Sequence, residues 1–89
     1  MKKHYTITVQ GRVQGVGFRY HARACAEKEN ITGYVKNMPD GSVLIEAEGE
    51  EEALSRFLNW CHQGPPHAHV ISVTHFESPL QHFHSFFIK

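Results

Sequence analysis

The stretch His4-Tyr5-Thr6-Ile7-Thr8-Val9-Gln10-Gly11-Arg12-Val13-Gln14-Gly15-Val16-Gly17-Phe18-Arg19-Tyr20 decides how the rest of the chain is read. Over residues 4–10 polar and apolar side chains alternate, with Tyr5, Ile7 and Val9 on one side, which predicts a strand with one buried face. A glycine-rich segment follows. From residue 18 to 30 the period changes, and Phe18, Ala22, Cys25 and Ala26 recur at helical spacing. The small side chains on that face let a helix lie close to a sheet, and Asn30 suits the left-handed residue that ends one.

Outward from this unit the same reasoning places the remaining elements. Residues 31–36 read as a short strand, Met38-Pro39-Asp40-Gly41 as a tight turn, and residues 42–48 as a strand with Val43, Ile45 and Ala47 alternating. Glu50, Glu51 and Glu52 favour a helix N-terminus, and Ala53, Leu54, Phe57, Leu58 and Cys61 form its apolar stripe. Gly64-Pro65-Pro66 ends it. A further strand is expected within residues 68–76 and a short fifth near 86–88, while 75–84 shows no clear period. The order β-α-β-β-α-β predicts an α+β, ferredoxin-like split βαβ sandwich. Both helices would pack on one face of a mostly antiparallel sheet, with a short fifth strand added.

Eighty-nine residues suffice for one domain, 1–89, and no internal repeat or linker divides them. Nine basic against nine acidic residues give a net charge of zero, so nothing grips a polyphosphate backbone and nucleic acid is not an expected partner. No apolar run approaches a membrane span, and the first residues lack the apolar block of a signal peptide. A cytoplasmic monomer is the simplest expectation. Cys25 and Cys61 form no Cys-x-x-Cys and read as reduced, buried thiols on the inner helix faces. Eight histidines include His67-x-His69 and His82-x-His84, which on strands would pair imidazoles on one face. Without a third ligand in register no metal is nominated.

In the expected topology the first and second strands run parallel with the third between them. The loop after the first and the end of the second then share one edge of the sheet. The loop matches neither common nucleotide motif, because no Gly-Lys-Ser/Thr ending follows and Gly15-x-Gly17 lacks a third glycine in register. It does allow successive N–H groups to turn inward as an anion nest at a helix N-terminus. No Ser, Thr, Asp or Asn between Val13 and Tyr20 is present to cap those donors, and Arg19 adds a planar fork suited to two phosphate oxygens. The plainer alternative is a tight loop satisfied by water with Arg19 solvated. From the other side, Asn37 ends Gly33-Tyr34-Val35-Lys36-Asn37. It reads either as a turn residue bonding its own backbone or as a group that steers water toward a phosphorus.

Val9-Gln10-Gly11-Arg12-Val13-Gln14-Gly15-Val16-Gly17-Phe18-Arg19 resembles the first signature of the acylphosphatases, and Gly33-Tyr34-Val35-Lys36-Asn37 with Asp40-Gly41-Ser42-Val43 and Gly49 resembles the second. Gly64-Pro65 and the strand after it extend the likeness over nearly the whole chain. The resemblance implies a small α/β sandwich that hydrolyses the carboxyl–phosphate bond of acyl phosphates to a carboxylate and inorganic phosphate, without metal or cofactor. It implies phosphate binding by Gln14, Gly15, Val16, Gly17, Phe18 and Arg19, with Arg19 catalytic and Asn37 positioning the water. Glu29-Asn30 stands where similar chains commonly have Leu-Gly, and the histidine-rich second half is unlike typical members.

Rivals on the same topology fare worse. RNA-recognition domains stack bases on aromatics of the third strand, and Ser42-Val43-Leu44-Ile45-Glu46-Ala47 has none. Copper carriers need paired cysteines near the first loop, which are missing. A protein that binds an acyl or carbamoyl phosphate without cleaving it is the remaining alternative.

Overall fold

The computed structural model describes all residues from Met1 to Lys89. Its elements are β1 (Lys2–Arg12), α1 (Phe18–Lys28), β2 (Thr32–Asn37), β3 (Val43–Glu50), α2 (Glu51–Gln63), β4 (His69–Ser78) and β5 (Phe86–Ile88). They form one five-stranded sheet in the order β4-β1-β3-β2-β5. Every pairing is antiparallel except β2 with β5. The expected βαββαβ order with a short fifth strand is the one observed.

Strand alternation divides the sheet into two unlike faces. Ile7, Val9, Val35, Val43, Ile45 and Ala47 are fully buried beneath Phe18, Ala22 and Ala26 of α1 and Ala53, Leu54, Phe57 and Cys61 of α2. Each large side chain in this layer contributes about 1.5–3 kcal/mol through removal from water. Trp60 sits at the rim, its ring 5.1 Å from that of Phe18 and 6.0 Å from that of Phe57. α1 stops two residues short of the expected end because Asn30 adopts the left-handed conformation, at φ 58. The Ile31 N–H then closes back on the Ala26 carbonyl at 2.8 Å, which satisfies a carbonyl the helix leaves free.

The histidine pairs do not share strand faces. His67 lies in the turn that follows Pro65 and Pro66, leaving only His69 on β4. His82 and His84 lie in the irregular segment 79–85, where His82 is left-handed at φ 60. Cys25 and Cys61 are free thiols, and burial pushes both pKa values up, Cys61 furthest. Cys61 is fully buried, while Cys25 is only half-buried.

The face away from the helices carries a buried polar cluster. His4 is 1 % exposed and Glu48 is 0 % exposed. The His4 ring lies between two carboxylates, with Nδ1 2.8 Å from Glu48 and Nε2 2.5 Å from Glu46. Segment 79–85 covers them, and the backbone N–H groups of Gln81, His82 and Phe83 all donate to the Glu48 carboxylate. Burial alone pushes the Glu48 carboxyl up, but the Gln81 amide, the His4 ring and the Phe83 amide outweigh it and hold it below the usual carboxylate range.

A carboxyl that is more acidic folded than unfolded contributes stability that is complete above its unfolded value, about 4.3 for Glu, and is lost as pH falls through the lower folded value. Urea midpoints are therefore expected to drop on acidification from about pH 5 downward. Glu29 and Asp40 shift the same way but are solvent-screened, so Glu48 dominates this limb. Glu48→Gln should make it shallower; an acid limb of unchanged steepness would refute the assignment.

Candidate active site

Two chain segments meet at the edge of the sheet where β1 and β2 end. Val9 and Asn37 both pair with Val43, one from each side, which sets them about two strand spacings, roughly 9.6 Å, apart. The chain leaves β1 at Arg12, turns through Gly15 and Gly17, and enters α1 at Phe18. Gly15 has φ 74 and Gly17 has φ 80, a left-handed region in which a Cβ is strained, so this turn requires glycine at both positions.

Gly17 is the N-cap of α1, with no side-chain cap and no acidic residue in the first turn. The first N–H groups of any helix lack partners within it, and here no side chain of the protein replaces them. The His21 ring instead meets the Gly17 carbonyl at 2.8 Å, so it fixes the cap without occupying a donor. The result is a row of oriented amides at the positive end of a helix dipole.

Arg19 lies in the first turn, half-buried, and its Nη1 donates to the main-chain oxygen of Lys89 at 2.9 Å. Asn37 closes the site from β2. It does not cap the turn after it: Asp40 does that, its Oδ1 accepting from the Ser42 N–H at 2.9 Å and the Ser42 hydroxyl at 2.6 Å. Asn37 Oδ1 is buried and has no hydrogen-bond partner in the protein. A buried acceptor without a partner costs about 1–3 kcal/mol; Thr32 Oγ1 is in the same condition, but only Asn37 lines a cavity with Arg19.

Gly15, Gly17, Phe18, Arg19 and Asn37 line one cavity of about 190 Å³, together with Val13, Tyr20 and Ile88. No carboxylate or imidazole lines it. Of the residues expected at the site, Gln14 and Val16 do not line the cavity. Gln14 Nε2 instead donates to the Met38 and Ser42 carbonyls, both at 2.8 Å, and so braces the loop against the turn that carries Asn37. Val16 packs against the core. The Phe18 side chain is core as well, leaving its backbone for the cavity.

Tyr20, Ile88 and the Lys89 main-chain oxygen escaped the sequence reading. Parallel pairing of β5 with β2 is the signal that brings the last two here, since it carries the end of β5 beside Asn37. A larger cavity, about 410 Å³, lies on the opposite face among His4, Thr6, Tyr34, Glu46 and Phe83. Its ring nitrogens, carboxylates and hydroxyls bond one another, and neither an arginine nor a helix N-terminus reaches it, so of the two cavities the smaller has the donors that suit an anion.

Comparison with known proteins identifies the family. The acylphosphatase family model matches residues 5–88. An acylphosphatase of Thermotoga maritima is 51% identical over 87 residues, covering 98% of this chain and 97% of that protein. The crystal structure of the Bacillus subtilis acylphosphatase superimposes with a TM-score of 0.95 at 44% identity, covering 100% of this chain and 99% of that one. An acylphosphatase from Coxiella burnetii gives 0.96 at 35% identity, covering 99% and 93%. With a family match over nearly its whole length and relatives of this identity, the chain belongs to the acylphosphatase family.

Proposed function

We propose that the cavity at the N-terminus of α1 is the acyl phosphate site of this hydrolase. The amides of Gly15, Gly17, Phe18 and Arg19 and the Arg19 guanidinium hold the phosphate, and Asn37 aims the attacking water. The observation that carries the reading is that Asn37, whose Oδ1 has no partner in the protein, lines the same cavity as Arg19 and an uncapped helix N-terminus.

Phosphoryl transfer passes through a loose transition state with charge spread over the equatorial oxygens, so positioning and charge stabilisation supply most of the catalysis. Donors already oriented in the ground state do this without reorganisation. The Asn37 carboxamide hydrogen-bonds a water molecule and turns the water's lone pair toward phosphorus. The bond from water oxygen to phosphorus forms as the bond from phosphorus to the acyl oxygen breaks, and its electron pair leaves with the carboxylate. The water protons end on inorganic phosphate and solvent. A carboxylate of pKa about 4 departs without a proton donor, which suits a cavity lined by no general acid. Val13 and Ile88 offer the acyl group apolar contact and Tyr20 a ring with a single hydroxyl, with no charged group among them, so broad tolerance of that group is expected.

Neither metal nor cofactor enters this scheme. The same reading has residues 1–89 acting as one domain, a monomer, in the cytoplasm. Two free thiols suit that compartment, and no helix is long and apolar enough to cross a membrane. Release of inorganic phosphate from benzoyl phosphate, followed with and without a chelator, tests the proposal. Catalytic release at the same rate in both is expected. Stoichiometric binding without turnover, or activity that a chelator abolishes, would overturn it.

A further inference from the structure

The connection from β4 to β5 has to cross the whole sheet. These strands are its opposite edges, four strand spacings or about 19 Å apart. The segment 79–85 that joins Ser78 to Phe86 reaches about 26 Å fully extended, so it has little slack.

This strap is pinned at its middle, on the central strand. The N–H groups of Gln81, His82 and Phe83 converge on the Glu48 carboxylate of β3, those of His82 and Phe83 at 3.2 Å. Successive amides turn toward one anion when a left-handed residue is among them, and His82 supplies it at φ 60. The Phe83 ring then packs against those of His4, Tyr34 and Phe87. The Glu48 carboxylate and the Phe83 ring thus fasten the middle of the strap, beside the 410 Å³ cavity.

Beyond the strap the chain is held by Phe86, buried in the core against Phe57, and by main-chain hydrogen bonds to β2. The Gly33 N–H donates to the Ser85 carbonyl and the Lys89 N–H to the Val35 carbonyl, both at 2.9 Å. Between them β5 pairs with β2 alone, over Gly33–Val35. The end of β5 reaches the active site from there: Ile88 lines the phosphate cavity, and the Lys89 main-chain oxygen takes the only hydrogen bond the Arg19 side chain makes within the protein.

The geometry points to Glu48 as a positioning residue for Arg19. Its buried carboxylate fixes the strap, the strap sets the seat of β5 on β2, and the main-chain oxygen after β5 orients the guanidinium. Glu48 itself lies on the other face of the sheet and touches no substrate. The inference rests on the phosphate-binding role proposed above for Arg19.

A double-mutant cycle separates this from a purely structural role. Glu48→Gln keeps the side-chain size but offers one acceptor oxygen to three N–H donors. In the otherwise unchanged chain it is expected to lower kcat/KM for benzoyl phosphate about fivefold and to raise the inhibition constant of inorganic phosphate by about the same factor, the effect of one weakened hydrogen bond. In an Arg19→Ala background the same substitution should have almost no further effect. In an Asn37→Ala background the loss of about fivefold should return in full. A merely destabilised protein would lose apparent kcat through its folded fraction, alike in all three backgrounds, with KM and phosphate inhibition unmoved.

Phe83→Ala loosens the strap with Glu48 intact and should show the same pattern, which keeps the test available if Glu48→Gln does not fold. His82→Gly retains the three N–H donors and the left-handed backbone, and should leave kcat/KM unchanged. Equal losses in all backgrounds, or no loss from either strap variant, would overturn the inference while leaving the role of Arg19 intact. Normal turnover by Arg19→Ala alone would instead overturn the site on which it rests.

Discussion

Arg19→Ala is expected to lower kcat/KM for benzoyl phosphate at least about a hundredfold while the protein stays folded. Removing one preorganised donor aimed at developing charge costs about 2.7–4 kcal/mol in other enzymes, or 10²–10³ in rate. Arg19 is the only cationic side chain lining the cavity, so no neighbour substitutes for it. The fold has little reason to fail. Within the protein the guanidinium makes one exposed hydrogen bond, to the Lys89 main-chain oxygen, which water replaces. Alanine is also a better helix former in the first turn than arginine.

Inhibition by inorganic phosphate should weaken in parallel, because the same fork holds product and substrate. Arg19→Lys restores a charge but not the planar pair of donors, so it should recover only part of the loss. Near-normal kcat/KM in purified, folded Arg19→Ala would remove the residue from the mechanism.

The strand, glycine turn and helix over residues 4–28 were legible because each depends on near neighbours. Alternation marks β1, small residues at helical spacing mark α1, and two left-handed positions demand the glycines between them. The edge on which Arg19 and Asn37 meet followed from topology alone. The placement of Asn37 became distinctive only when Asp40 was seen to cap the turn, which leaves the asparagine carbonyl unspent.

What the sequence concealed depends on contacts between distant positions. His4 and Glu48 pair across β1 and β3 on the face that alternation assigns to solvent. They are buried because segment 79–85 crosses over them, and that segment has no hydrophobic period to announce its path. The Arg19 contact with Lys89 is to a main-chain oxygen, which has no signature in residue type. Gln14 belongs to the signature loop, but only the fold directs its amide to the turn carbonyls and away from the cavity.

Asn37→Ala should separate function from stability in a way that Arg19→Ala does not. Turnover of benzoyl phosphate is expected to fall at least about a hundredfold, because the water loses the carboxamide that orients it and has to find the in-line approach by chance. KM and inhibition by inorganic phosphate should change little, since the amides and Arg19 that hold the phosphate are untouched. The stability effect should have the opposite sign. Asn37 Oδ1 is buried without a protein partner, and deleting it removes a desolvation cost of about 1–3 kcal/mol, offset in part by the lost packing of a half-buried side chain. The urea midpoint should therefore stay level or rise as activity collapses. If the variant instead lost stability and kept its turnover, Asn37 would be an ordinary structural residue at the end of β2, and the water would need another guide. Asn37→Asp sharpens the test: it keeps an acceptor at nearly the same place but sets a negative charge against the phosphate, so both KM and the phosphate inhibition constant should rise along with the fall in kcat.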